Sequence, residues 1–274
     1  MDNAADARPV VVGIDGSRAA IAAAVWAVTE ASERDVPLRL VYATGSTRPS
    51  SAPYEANDIE FEYGETSLRA ASAAVEETGT KVKVETEILW GAIEDALIEE
   101  SRSAAVVCVG SVGIGWVARR VLGSTAAAVA EKAACTVVVV RYPAPTEPAD
   151  ASGVIVVGVD DRPGNDRIVT RALEEARLRK APLRAVGTWS SQLSGVSPDE
   201  LERRVADWRR RHPEVDIQPV TTAGGLLEHL VENRDRAVDL VVVGEVDADT
   251  IPQIIGPHDR PLVPHGQCSV MVAR

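Results

Sequence analysis

One pattern of residues is written twice along this chain, and that repeat limits the possible folds more than any other feature. The stretch VVVGIDGSRAAI (10–21) returns as IVVGVDDRPGND (155–166), and VPLRLVYA (36–43) returns as APLRAVGT (181–188). Further on, AVVCVG (105–110) returns as DLVVVG (239–244), and AACTVVVVR (133–141) as GQCSVMVAR (266–274). The offset is 145 residues at Asp15 and Asp160, 134 at Gly110 and Gly244, and 133 at Cys135 and Cys268, so the second copy is shortened, mostly in its middle. A repeat this long in one element order describes two homologous domains.

Within the first copy, strand-like and helix-like segments alternate. Val10–Ile14 is a short apolar run that stops at Asp15-Gly16-Ser17, a turn and helix N-cap signal. Ile21, Ala24, Val25 and Val28 recur at helical spacing, and Leu38–Tyr42 reads as the second strand. Glu60–Glu77 reads as a helix, Val82, Val84 and Ile88 mark a third strand, and Ile93–Glu100 is a short helix. Ala105–Gly110, Ser124–Ala133 and Thr136–Arg141 complete the series as strand, helix and strand. This βαβ alternation predicts α/β domains, each doubly wound around a five-stranded parallel-type sheet. The Pro-rich segment from Tyr142 to Pro148 reads as a linker. The expected division is residues 1–142, a linker at 143–152, and residues 153–274.

Charge excludes some functions. The net charge is −12, divided as −8 up to Pro148 and −4 beyond it. Both halves are acidic and lack the basic footprint of a nucleic-acid-binding protein. An anionic ligand would need local amides or dipoles to overcome this field. No run of about 18 uncharged apolar residues predicts a membrane span. The start, MDNAADARPV, has neither the basic nor the apolar region of a secretory signal, which points to the cytoplasm. Cys108, Cys135 and Cys268 lie in or beside apolar runs without a CxxC pair, as expected of buried thiols in a reducing compartment.

The chemistry is concentrated after the fourth strand, in CVGSVGIGWVARRVLGST (108–125). Glycines at 110 and 113 let backbone approach a ligand without Cβ interference and accept positive φ. Gly123-Ser124-Thr125 stands where a helix begins, and the amides and dipole there favour phosphate. In a parallel sheet the crevice lies beyond the carboxyl ends of the strands, where Asp15 also falls. The competing reading is an ordinary strand end followed by an ordinary helix start. Arg119 and Arg120 are the only cations within the nine-residue arch, which also holds Trp116.

With these residues in view, the chain resembles the universal stress protein family in its tandem form, over nearly all of both halves. Gly110, Gly113, Gly123 and Ser124 satisfy that family's G-x2-G-x9-G-[ST] motif. The resemblance implies the adenine-nucleotide alpha-hydrolase-like fold and an ATP cofactor, with Mg2+ as its accompanying ion. It places the ATP phosphates at Gly110, Gly113, Gly123, Ser124 and Thr125, Asp15 beside the adenosine and Ala43 beside the adenine, and it includes Val109 in the binding set. One departure is Val112, where relatives often carry a basic residue. The resemblance also implies that the final strands of the two halves pair as an intramolecular pseudo-dimer, with a further homodimer as an extension. An unpaired apolar edge would invite aggregation.

The second copy keeps Gly244, but Asp247 replaces the second glycine, and Gly256 or Pro257 stands near the third. Proline offers no N–H, and Asp247, with Asp161 and Asp249 nearby, is expected to repel phosphate. One nucleotide site per chain is therefore expected. All four histidines lie in this half. A zinc site from His258, His265, Cys268 and Asp247 is disfavoured because the repeat puts Cys268 at the start of a buried strand. No Ser-His-Asp or Cys-His set is readable, no P-loop lysine follows Gly123-Ser124, and the S-G-G-x-D-S order of ATP pyrophosphatases is absent. No catalytic residue is assigned. A regulatory nucleotide-binding module, an interaction protein with a vestigial loop, and a slow ATPase remain as alternatives.

Overall fold

The computed structural model describes residues 8–45, 55–112, 122–141, 153–188, 195–232, 238–255 and 268–274. The chain divides into two compact units, Met1–Tyr142 and Pro143–Arg274. In the first, β1 (Val10–Gly13), α1 (Arg18–Arg34), β2 (Leu38–Ala43), α2 (Glu55–Glu77) and β3 (Val84–Leu89) are followed by α3 (Ile93–Glu100), β4 (Val106–Gly110), α4 (Ser124–Lys132) and β5 (Thr136–Val140). The strand order is β3-β2-β1-β4-β5, with parallel pairing throughout. Order therefore reverses between β1 and β4. The helix α2 begins at Glu55, earlier than its hydrophobic spacing predicts.

The central strands are valine-rich because both of their faces are covered. Val10, Val11, Val12 and Val106 to Val109 are all buried, as a parallel sheet packed by helices on both sides requires. The alanines 19, 20, 23, 24, 27 and 31 of α1 are buried too, and their small side chains let the helix lie close to the sheet. Ser17 caps α1 by accepting from the Ala20 N–H at 3.1 Å, and Asp35 ends it in the left-handed region.

The second unit follows the same plan with β6 (Val154–Val159), α5 (Asn165–Arg179), β7 (Leu183–Thr188), α6 (Pro198–Arg211), β8 (Ile217–Thr222), α7 (Gly225–Glu232) and β9 (Val238–Gly244). A 3-10 turn (Glu245–Thr250), the short α8 (Ile251–Ile255) and β10 (Ser269–Ala273) complete it, in the order β10-β9-β6-β7-β8. Of the arginine run ending α6, Arg210 and Arg211 pair with Asp207, and Arg209 donates to the Ile217 carbonyl. All three cysteines are buried and none forms a disulfide. Among the described residues, no helix is long and apolar enough to cross a membrane.

Asp239, at the start of β9, accepts from the Gly153 N–H at 2.8 Å. Burial is the largest influence on its carboxyl and pushes it above the ordinary value of 3.8, outweighing that hydrogen bond and the Arg179 charge. A carboxyl raised in the folded state contributes stability below its unfolded pKa, and that contribution is lost as pH rises through the folded pKa. Asp239→Asn keeps an acceptor for Gly153 and removes the loss. Urea unfolding is expected to show the variant gaining on the parent as pH rises from about 4 to about 7. Parallel stability curves across that range would contradict this.

Candidate functional site

The reversal of strand order opens a crevice between the carboxyl ends of β1 and β4. Asp15 lies two residues past β1, and Gly110 is the last residue of β4. Ala43 ends the neighbouring β2, where the Thr44 N–H donates to the Leu89 carbonyl at 3.1 Å. Val109 is buried beneath, paired with Val139. Beyond β4, the Ser111 N–H donates to the Val140 carbonyl at 2.8 Å. The Ser111 carbonyl in turn accepts from the Gly123 N–H at 2.9 Å. That bond returns the chain to the strand ends, so Ser124 and Thr125 open α4 at the same edge as Asp15. The structure thus gathers Asp15, Ala43, Val109, Gly110, Gly123, Ser124 and Thr125. Gly113, Trp116, Arg119 and Arg120 lie outside the described residues.

Two glycines have tasks that the motif does not disclose. A Cβ on Gly110 would stand 2.7 Å from the Ala19 carbonyl carbon and 2.8 Å from the Ala20 nitrogen, so this glycine lets the first turn of α1 press against β4. Gly123 N-caps α4 with extended backbone, and its N–H is already committed to Ser111. That N–H is therefore not among the amides open to a ligand. The amides left for a ligand are those of Ser124 onward in the first turn, which have no intrahelical acceptor. No side chain caps them.

Asp15 shapes its own loop. Its Oδ1 accepts from the Ser17 N–H at 2.9 Å, and the Tyr63 hydroxyl of α2 donates to its backbone carbonyl at 3.3 Å. Gly16, at φ +81°, leaves room for this, since a Cβ there would meet the Tyr63 oxygen at 2.6 Å. Tyr63 also meets Tyr42 edge to face, with ring centroids 6.1 Å apart. Burial first, then the negative charges of Glu60 and Asp15 and the neighbouring Tyr63, raise the Tyr42 phenol above its ordinary range. An aromatic pair and two acids thus stand together beside the loop that follows β1. The sequence reading missed both tyrosines. Nothing in their local spacing marks them, because α2 reaches the β1 loop only through the tertiary fold.

In the second unit the equivalent edge carries a network of charged side chains. Asp160 follows β6 as Asp15 follows β1, and Arg162 stands where the first unit has Ser17. The Arg162 guanidinium donates to both Asp247 oxygens at 2.8 Å each, and its Nε donates to Asp160 at 2.7 Å. Its backbone N–H takes the other Asp160 oxygen at 2.9 Å. These bonds, led by that to Asp247, hold the guanidinium pKa well above its ordinary range. Asp247, expected from the sequence to repel phosphate, is half of an ion pair with Arg162 at these strand ends. Gly256, Pro257, His258 and His265 lie outside the described residues. Among those described, no three His, Cys, Asp or Glu side chains gather to hold a metal.

A doubly wound parallel sheet with an aspartate just past its first strand defines a class of α/β domain, and that plan is present here in two copies. Comparison with known proteins narrows the class. The family model described as "Universal stress protein family" matches residues 7–141 and again 152–274. Universal stress protein Rv2624c of Mycobacterium tuberculosis is 44% identical over 267 residues, covering 97% of this chain and 96% of the relative. A universal stress protein from Archaeoglobus fulgidus shares the fold at TM-score 0.69 and 14% identity, covering 98% of this chain and 97% of its own. A smaller universal stress protein, solved in complex with cAMP, matches 48% of this chain and 96% of its own at 28% identity and TM-score 0.40. The chain belongs to the universal stress protein family.

Proposed function

We propose that the protein is a regulatory module that binds one ATP in the crevice of its first unit and turns it over slowly or not at all. The observation that carries this reading is the Gly123–Ser111 hydrogen bond, which brings the open first turn of α4 to the switch point beside Asp15. Amides and helix dipole at that position favour an anionic phosphate chain despite the acidic surface. Asp15 and the Tyr42–Tyr63 wall suit the nucleoside end. Mg2+ in this reading arrives on the ATP phosphates and is not held by a protein cluster.

The crevice provides binding more readily than catalysis. Asp15 is committed to its own turn through Ser17, and the carbonyl of the same residue is held by Tyr63. Turnover is expected well below the ~10 s⁻¹ of dedicated enzymes. Asp15→Ala removes both the charge and the turn acceptor, and is expected to weaken ATP binding by roughly 10-fold, about 1.4 kcal/mol. Asp15→Asn keeps the acceptor and should recover part of the loss. Rapid Mg2+-dependent hydrolysis abolished in Asp15→Ala at unchanged affinity would make the protein an enzyme instead.

The resemblance also supports a pairing of the two final strands, β5 and β10, within one chain. Hydrogen exchange tests this. Both alternating sets of amides in Thr136–Val140 and Ser269–Ala273 should be protected, whereas fast exchange of one set in each strand would leave those edges unpaired.

A further inference from the structure

The same backbone carbonyl is held from a neighbouring helix in both units, by side chains of different chemistry. In the first unit the Tyr63 hydroxyl of α2 donates to the Asp15 carbonyl at 3.3 Å. In the second, Arg204 of α6, the helix at the same place in the element order, donates through Nη1 to the Asp160 carbonyl at 3.2 Å. The residue after the aspartate changes together with the donor. Gly16 lets the Tyr63 and Ser67 oxygens stand 2.6 and 2.8 Å from where a Cβ would lie, whereas its counterpart Asp161 pairs its carboxylate with Arg204. Glycine with phenol has become aspartate with guanidinium, and the hold on the carbonyl persists. The first unit also gives up a side chain inside α2 for this contact. A Cβ on Gly64 would meet the Tyr42 ring at 2.7 Å, so this glycine seats the helix, and Tyr63 with it, close to the end of β2. Glycine in a helix interior is destabilising relative to alanine, and such close packing offsets that.

We propose that Tyr63 is a positioning residue for the nucleotide site: its hydroxyl fixes the Asp15–Gly16 peptide plane and so keeps the Asp15 carboxylate where the nucleoside binds. The inference rests on the ATP reading of the first unit. Gly16, at φ +81°, is the most permissive point of its loop, and a peptide plane beside a glycine turns easily. The bond from the Ser17 N–H to Asp15 Oδ1, at 2.9 Å, lies within the loop and moves with it. Tyr63 ties the loop from outside. Without that tie a fraction of the molecules holds the carboxylate elsewhere, and the apparent affinity falls in proportion to the fraction that stays competent. The phenol does this without placing a charge beside an anionic ligand. Its counterpart Arg204 instead draws Asp161 and Glu200 around a guanidinium.

Tyr63→Phe removes the hydroxyl and keeps the ring that meets Tyr42, so the full-length variant is expected to fold and to unfold at the parent temperature. Without ligand, its Gly16 amide nitrogen should shift in the magnetic resonance spectrum, because the carbonyl bonded to that nitrogen has lost its donor. ATP and adenosine are both expected to bind more weakly by the same factor, roughly 3- to 10-fold, since the loss falls at the nucleoside end they share. Arg204→Met, which cuts the corresponding tie in the second unit, should leave both affinities at parent values. Unchanged ATP affinity in Tyr63→Phe, with or without a loss of stability, would overturn the proposal. So would a weakening of ATP alone, or an equal weakening in Arg204→Met. A parent protein that binds neither compound would instead contradict the nucleotide reading itself, whatever the Gly16 amide does.

Discussion

Gly110→Val is expected to destabilise the first unit by several kcal/mol and to lower ATP affinity along with it. The substitution adds a branched side chain where a single Cβ already meets the backbone of Ala19 and Ala20 below 3 Å. Those neighbours are main-chain atoms in the first turn of α1, so no flexible side chain can yield, and the helix itself must shift. Overpacking of well-packed interiors costs about 1–3 kcal/mol, and displacement of a whole helix end puts this case at or above the upper limit. The displaced turn follows Ser17, whose N–H is held by Asp15, so the site moves with it. Chemical denaturation checks the first effect and ATP titration the second. Wild-type stability in Gly110→Val would mean that α1 is less closely seated on β4 than the structure shows.

Gly123→Val is expected to remove ATP binding while sparing most of the stability. The extended backbone of Gly123 is open to any residue, and its N–H can still reach the Ser111 carbonyl. Valine is a poorer N-cap than glycine, at a cost of about 1 kcal/mol. The new side chain, however, stands at the mouth of the α4 amides where the phosphates would approach. A clash of about 3 kcal/mol there corresponds to a loss of more than 100-fold. The contrast between the two variants is informative, because under the proposed function Gly110 serves packing and the ligand together, whereas Gly123 serves the ligand chiefly. An unfolded Gly123→Val would contradict that division.

Much of the architecture was legible because repetition and periodicity are local signals. The valine runs, the alanine stripe of α1 and the Asp-Gly-Ser turn foretell β1 and its helix, and the glycine spacing points to the carboxyl edge of β4. The contacts that make the crevice are not local. Tyr63 donating to Asp15 and Gly123 donating to Ser111 depend on how α2 and the returning chain pack, and no spacing rule records either. One missed feature did leave a trace in the repeat. The second copy exchanges the counterpart of Ser17 for Arg162 and that of Gly113 for Asp247, two opposite charges appearing together. Comparing the copies for paired changes would have indicated the Arg162–Asp247 bridge, where each change taken alone reads only as a lost motif residue.

Isothermal calorimetry of the intact chain with Mg2+-ATP tests the central claim most directly. One ATP per chain is predicted, with no binding heat in Gly123→Val and an unchanged stoichiometry of one when Arg162, the centre of the second unit's bridge, is replaced by lysine. A stoichiometry of two, or titratable ATP binding that survives in Gly123→Val, would contradict the assignment of the nucleotide to the first unit.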